Sequence, residues 1–138
     1  MNALPADDPE SVLIEDIAAF THDPLGFALY AYPWGEGELA GVDGPREWQR
    51  DVMTDIQAHL SDPATRFQPL MMAVASGHGI GKSAQISMII DWAMSTCEDC
   101  KVVVTANTDN QLRTKTWPEV GKWQRLAINS HWFDVTAT

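Results

Sequence analysis

No apolar run in this chain approaches the length of a membrane span, which takes about 20 predominantly apolar residues. The opening Met1-Asn2-Ala3-Leu4-Pro5-Ala6-Asp7-Asp8 is acidic, and it lacks the basic start and apolar centre of a secretory signal. A soluble intracellular protein is therefore expected. Repeats and low-complexity tracts are absent. Basic residues are scarce before Met71, where Arg46, Arg50 and Arg66 face 13 acids. From Met71 onward six bases balance six acids, so the whole net charge of −10 lies in the first half. Such a surface repels a nucleic-acid backbone, and any contact with DNA needs a local basic patch or parts outside this chain. Cysteine is nearly absent too. Cys97-Glu98-Asp99-Cys100 has no second pair with which to complete a zinc site, and it reads as a loop holding two reduced thiols.

What is present is a chain of 138 residues with 45% hydrophobic content, enough for one domain with a sizeable core. Its organising stretch is residues 70–94. Leu70-Met71-Met72-Ala73-Val74-Ala75 reads as a buried strand, and residues 84–94 read as a helix. Between them lies Ser76-Gly77-His78-Gly79-Ile80-Gly81-Lys82-Ser83. Strand, glycine loop ending in Gly-Lys-Ser, then helix is the order of a phosphate-binding P-loop, or Walker A motif. Glycines let backbone amides close around a phosphate, and the helix N-terminus favours an anion. Lys82 offers a charge to the β- and γ-phosphates, and Ser83 a hydroxyl to Mg²⁺. The motif departs from its consensus at the first position, which is Ser76 rather than glycine.

Along the rest of the chain, helices are expected from Pro9 to Phe20, with Ser11 as a cap, and from Pro45 to about Leu60, with a stripe of Trp48, Val52, Ile56 and Leu60. Lys101-Val102-Val103-Val104-Thr105-Ala106 reads as a second strand and residues 132–138 as a third. A helix capped by Asn107-Thr108-Asp109 follows the second strand, and another starts at Trp117-Pro118. Alternating strands and helices predict an α/β fold, a parallel sheet between helical layers. Residues 1–42 form an N-terminal helix with an aromatic-rich lead-in, and 43–138 form the nucleotide-binding domain.

Several segments together resemble the N-terminal ATPase half of phage terminase large subunits. They are Asp23-Pro24-Leu25-Gly26-Phe27, Pro33-Trp34-Gly35, Gly44-Pro45-Arg46-Glu47-Trp48-Gln49, and the loop from Ser76 to Ser83. Val103-Val104-Thr105-Ala106-Asn107-Thr108 with Gln111, and Lys115-Thr116-Trp117-Pro118-Glu119, complete the set. The resemblance implies an ASCE-type P-loop NTPase sheet, here incomplete at its C-terminal end, that couples ATP hydrolysis to DNA translocation into a capsid. It implies ATP and Mg²⁺ as cofactors, and double-stranded viral DNA, a portal protein and a small terminase subunit as partners. It also implies a homo-oligomeric ring and the cytoplasm of the bacterial host. Gln49 is implied to contact adenine, Lys82 to act on the phosphates and Ser83 to hold the metal. His78 stands where many relatives carry an Arg, and a neutral imidazole holds no permanent charge. No Asp-Glu pair follows a strand and no nuclease domain is present, so nucleotide binding without turnover is expected of this stretch. A non-catalytic nucleotide-binding remnant or interaction module, and a helicase-type translocase, are the alternatives.

Overall fold

The computed structural model describes residues 8–75, 77 and 81–136. Six α-helical elements carry the architecture: α1 (Pro9–Ala18), α2 (Pro24–Ala31), α3 (Glu47–Ser61), α4 (Lys82–Thr96), the short α5 (Asp109–Gln111) and α6 (Trp117–Leu126). A π-helical segment, Leu112–Thr116, joins α5 to α6, and 3₁₀ turns lie at Gly37–Leu39 and Ser130–Trp132.

The expected parallel sheet is not there. Among the described residues no strand forms, so the chain is a helical assembly and not a sheet of P-loop NTPase type. Residues 70–75 and 101–106, read above as strands, make no backbone–backbone hydrogen bond among the described residues. Residues 133–136 are irregular and follow a 3₁₀ turn, and 137–138 lie outside the described residues. The physical reason lies in what strand propensity measures. Valine-rich runs fit a pleated, half-buried surface, but a strand exists only when a neighbour takes its N–H and C=O groups. Among the described residues these segments have no such neighbour: Met71 is 90% exposed and Val103 85% exposed.

The helices start where local chemistry starts them. Asp8, not Ser11, caps α1: its Oδ1 accepts from Glu10 N at 2.8 Å, and Pro9 occupies the first turn. Asp23 and Pro24 repeat the device at α2, where Asp23 Oδ1 accepts from Gly26 N at 2.9 Å. Thr108 caps α5 through Gln111 N at 3.0 Å. Pro118 sits at the start of α6, directly after the π-helical segment.

The core draws on both sides of residue 42. Ile17, Phe27, Tyr32, Met53, Met88, Trp92 and Trp123 pack into one cluster, with Phe27 and Met53 wholly shielded from solvent. Helix α4 runs against α1, α2 and α6. Trp92 Nε1 donates to Phe20 O at 2.7 Å, which fixes α4 to the end of the first helical hairpin. Tyr32 meets Phe27, Trp34 and Trp123 edge-on, with ring centroids 6.3, 6.0 and 5.1 Å away. The Glu10 carboxylate closes the fold. It accepts from Trp132 Nε1 at 2.6 Å and from His131 Nε2 at 2.9 Å, and these bonds hold its carboxyl below the usual range. On α3 the fully buried positions are Gln49 and Met53, while Trp48, Val52, Ile56 and Leu60 are half-buried. The inward line thus begins one residue later than the apolar stripe, and it begins with a polar side chain.

Candidate functional site

The N-terminus of α4 opens into a cleft of about 630 Å³. Gly81 is the N-cap of α4, with φ at +91°, a left-handed conformation natural to glycine. Space makes the same demand. A Cβ on Gly81 would lie 2.7 Å from Gln49 Nε2.

Gln49 is 4% exposed and both ends of its amide are engaged. Oε1 accepts from Arg46 N at 2.8 Å, and Nε2 donates to Gly81 O at 2.9 Å. The side chain therefore ties the start of α3 to the start of α4. Removing it would cost both hydrogen bonds and the tie between the two helix starts. As placed, Gln49 supports the loop, and its amide would have to release one of these bonds to meet a base.

Lys82 and Ser83 are half-buried in the cleft wall. Ser83 Oγ makes no hydrogen bond among the described residues, whereas its carbonyl accepts from Ser87 Oγ at 2.8 Å. Arg46 arrives from α3, Lys115 from the π-helical segment and Lys122 from α6. Four cations thus meet two carboxylates, Glu38 and Glu119, in a chain whose net charge is −10. Trp34 and Trp123 add an aromatic wall, with ring centroids 5.8 Å apart. Lys122 Nζ lies 5.7 Å from the Trp123 ring centroid, within cation–π range. Glu119 Oε1 accepts from Trp123 Nε1 at 3.0 Å, which orients this carboxylate beside the cleft.

Of the residues singled out in the sequence, the structure brings together Gln49, Gly81, Lys82 and Ser83. Gly77 is described but stands apart: it is exposed, its φ lies outside the left-handed region, and a Cβ there meets nothing. Ser76, His78, Gly79 and Ile80 lie outside the described residues. Sequence reasoning did not find Glu38, Lys122 or Trp123. The 3₁₀ turn at Gly37–Leu39 supplies Glu38 and α6 supplies the other two, and no spacing rule links positions so far apart.

The site fits a metal brought in with a phosphate better than a free-standing one. Mg²⁺ bound to phosphates takes one or two protein oxygens and keeps several waters, and the Ser83 hydroxyl at the start of α4 suits that role. No group of three His, Cys, Asp or Glu residues suited to a metal occurs among the described residues. Among those residues no helix is long and apolar enough to cross a membrane. No protein-family model, curated protein or solved structure matches this chain.

Proposed function

We propose that this chain binds ATP with Mg²⁺ in the cleft at the N-terminus of α4, as the ATP-binding part of a viral DNA-packaging motor of the terminase type. One observation carries the reading. Segments far apart in sequence that bear the terminase resemblance converge on this cleft: Trp34, then Gly44, Arg46 and Gln49, then Gly81 to Ser83, then Gln111, Lys115, Thr116 and Glu119. Phosphate binding at a helix N-terminus is local and needs no sheet, because the donors are the first-turn amides and the dipole behind them. Lys82 supplies the charge on the phosphates and Ser83 the metal oxygen, with Arg46, Lys115 and Lys122 offsetting further negative charge. In that setting the partners are duplex viral DNA, a portal protein and a small terminase subunit, in the cytoplasm of a bacterial host.

Titration calorimetry with Mg-ATP tests the proposal. Lys82→Ala removes a charge-assisted contact and weakens binding by about 1.5–3 kcal/mol. Equal affinity in the two proteins would refute the assignment.

A further inference from the structure

A second cavity, of about 420 Å³, lies further along α4. That volume is within the range of about 300–1,000 Å³ typical of small-molecule sites. Its walls are mainly apolar: Ile90 and Met94 from α4, Val104, Leu112, Trp117 and Phe133. Into this wall α4 sets Asp91, which is 6% exposed and is the single buried acid or base among the described residues.

One oxygen of that carboxyl is accounted for. Asp91 Oδ2 accepts from Tyr32 Oη at 2.6 Å, a bond that joins α4 to the end of α2. Oδ1 makes no hydrogen bond among the described residues. It is not sealed in either. Among the described residues the fully enclosed side-chain polar atoms lacking a partner are the two of Gln85, and Asp91 is part of the cavity wall. The remaining charges of the lining are Asp109, Asp134 and Arg113, and Arg113 is already bridged to Asp109 at 2.8 Å. Gln124, the other polar side chain there, donates its Nε2 to Ser130 O at 2.8 Å. Carboxylates therefore outnumber cations, and one carboxylate oxygen is open within an apolar enclosure.

We infer that this cavity is a binding site for a compact apolar cation, an aryl- or alkylamine, whose ammonium pairs with Asp91 Oδ1 while its hydrocarbon body fills the space between α4 and the π-helical segment. The apolar walls exclude a free metal ion or a sugar as the natural occupant, since neither replaces lost hydration there. The same walls give an amine its hydrophobic gain, about 25 cal/mol per Å² of apolar surface buried. The excess of carboxylates disfavours an anion of the same shape. Burial raises the Asp91 carboxyl to about 6 against the lowering effect of the Tyr32 hydroxyl. The site therefore carries its full charge only above that pH. This inference is independent of the nucleotide reading, which concerns the N-terminal end of the same helix and other side chains.

The probes are phenethylamine and its neutral counterpart phenethyl alcohol, titrated into the full chain and followed by NMR shifts of the Val102, Val104 and Leu112 methyl groups. The amine is expected to bind at least tenfold tighter than the alcohol at about pH 7.5. One pH unit below its midpoint roughly a tenth of Asp91 is ionised, so amine affinity at about pH 5 is about tenfold lower. Asp91→Asn brings the amine down to the level of the alcohol and removes the pH dependence. Met94→Trp fills the cavity without touching the Tyr32–Asp91 bond and abolishes both probes, so it decides the matter if Asp91→Asn fails to fold. Equal binding of amine and alcohol, binding indifferent to Met94→Trp, or no shift at millimolar probe would each overturn the inference.

Discussion

At its N-terminal end α4 presents Lys82 and Ser83 to a cleft that also receives Arg46, Lys115 and Lys122. Two to three turns later the same helix presents Ile90, Asp91 and Met94 to a cavity with mainly apolar walls. The two ends differ in where charge is supported. At the first turn, unpaired backbone amides and the helix dipole favour negative charge, and side-chain cations add to them. Near Asp91 the backbone amides are spent on the helix itself, and the surroundings are apolar. There a carboxyl is held by one phenol and loses most of its hydration, so burial dominates and its pKa rises to about 6. One helix thus separates an anion-seeking surface from an anion-penalising one, and the aromatic cluster of Tyr32, Trp34 and Trp123 lies between them.

The largest test of this contrast is the pH dependence of stability. The ordinary Asp value of 3.8 becomes about 6 in the folded chain. The folded state therefore holds the Asp91 proton more tightly than the unfolded state does. That stabilisation is whole below about pH 3.8 and is lost as pH rises through about 6. Two pKa units correspond to roughly 3 kcal/mol. Urea denaturation of wild type and Asp91→Asn should show their stability difference shifting by that amount in favour of Asn between about pH 4 and pH 8. A difference constant with pH would show that Asp91 is not desolvated as described.

The next test distinguishes two glycines at the other end. Gly81 has a left-handed φ and a close neighbour in Gln49, so Gly81→Ala should destabilise the chain by about 1–3 kcal/mol. Gly77 has neither, and Gly77→Ala should stay within about 0.5 kcal/mol. Similar losses at both positions, measured by the same denaturation, would remove the Gln49–Gly81 junction from the account.

The smallest expected effect sits between the two ends. Gln85 is 5% exposed, and neither amide atom has a hydrogen-bond partner among the described residues. Gln85→Met keeps the shape and removes two orphaned polar atoms, and thermal unfolding should show a gain of about 1–2 kcal/mol. A loss would mean that the amide makes bonds in solution that the structure lacks.

How much of this was legible in the sequence divides along the same line. Helix starts were readable wherever the signal was local. Pro118 marks α6 as read and α4 begins at Lys82, two residues ahead of the stretch read as helix, while the α1 cap moved from Ser11 to Asp8 because the Asp side chain already meets Glu10 N. The strands misled. Lys101-Val102-Val103-Val104-Thr105-Ala106 has the composition of a strand, but pairing is a property of two segments, and this one has no partner among the described residues. Gln49 was legible as a site residue by resemblance, yet its two hydrogen bonds depend on where α3 meets α4. The buried role of Asp91 was hidden for a related reason. An acid in the middle of a helix is ordinarily solvated, and only the packing of α2 against α4 brings the Tyr32 hydroxyl to it.

The central claim, that phosphates are seated at the N-terminus of α4, is tested most directly by amide NMR of the full chain titrated with Mg-ATP. The largest shifts are expected at Gly81, Lys82 and Ser83, with further shifts at Lys115, Thr116 and Glu119 and little change at Met94, Val102 or Phe133. Saturable shifts centred on Met94 and Val102 with Gly81 to Ser83 unmoved, or no saturable shifts at all, would contradict it.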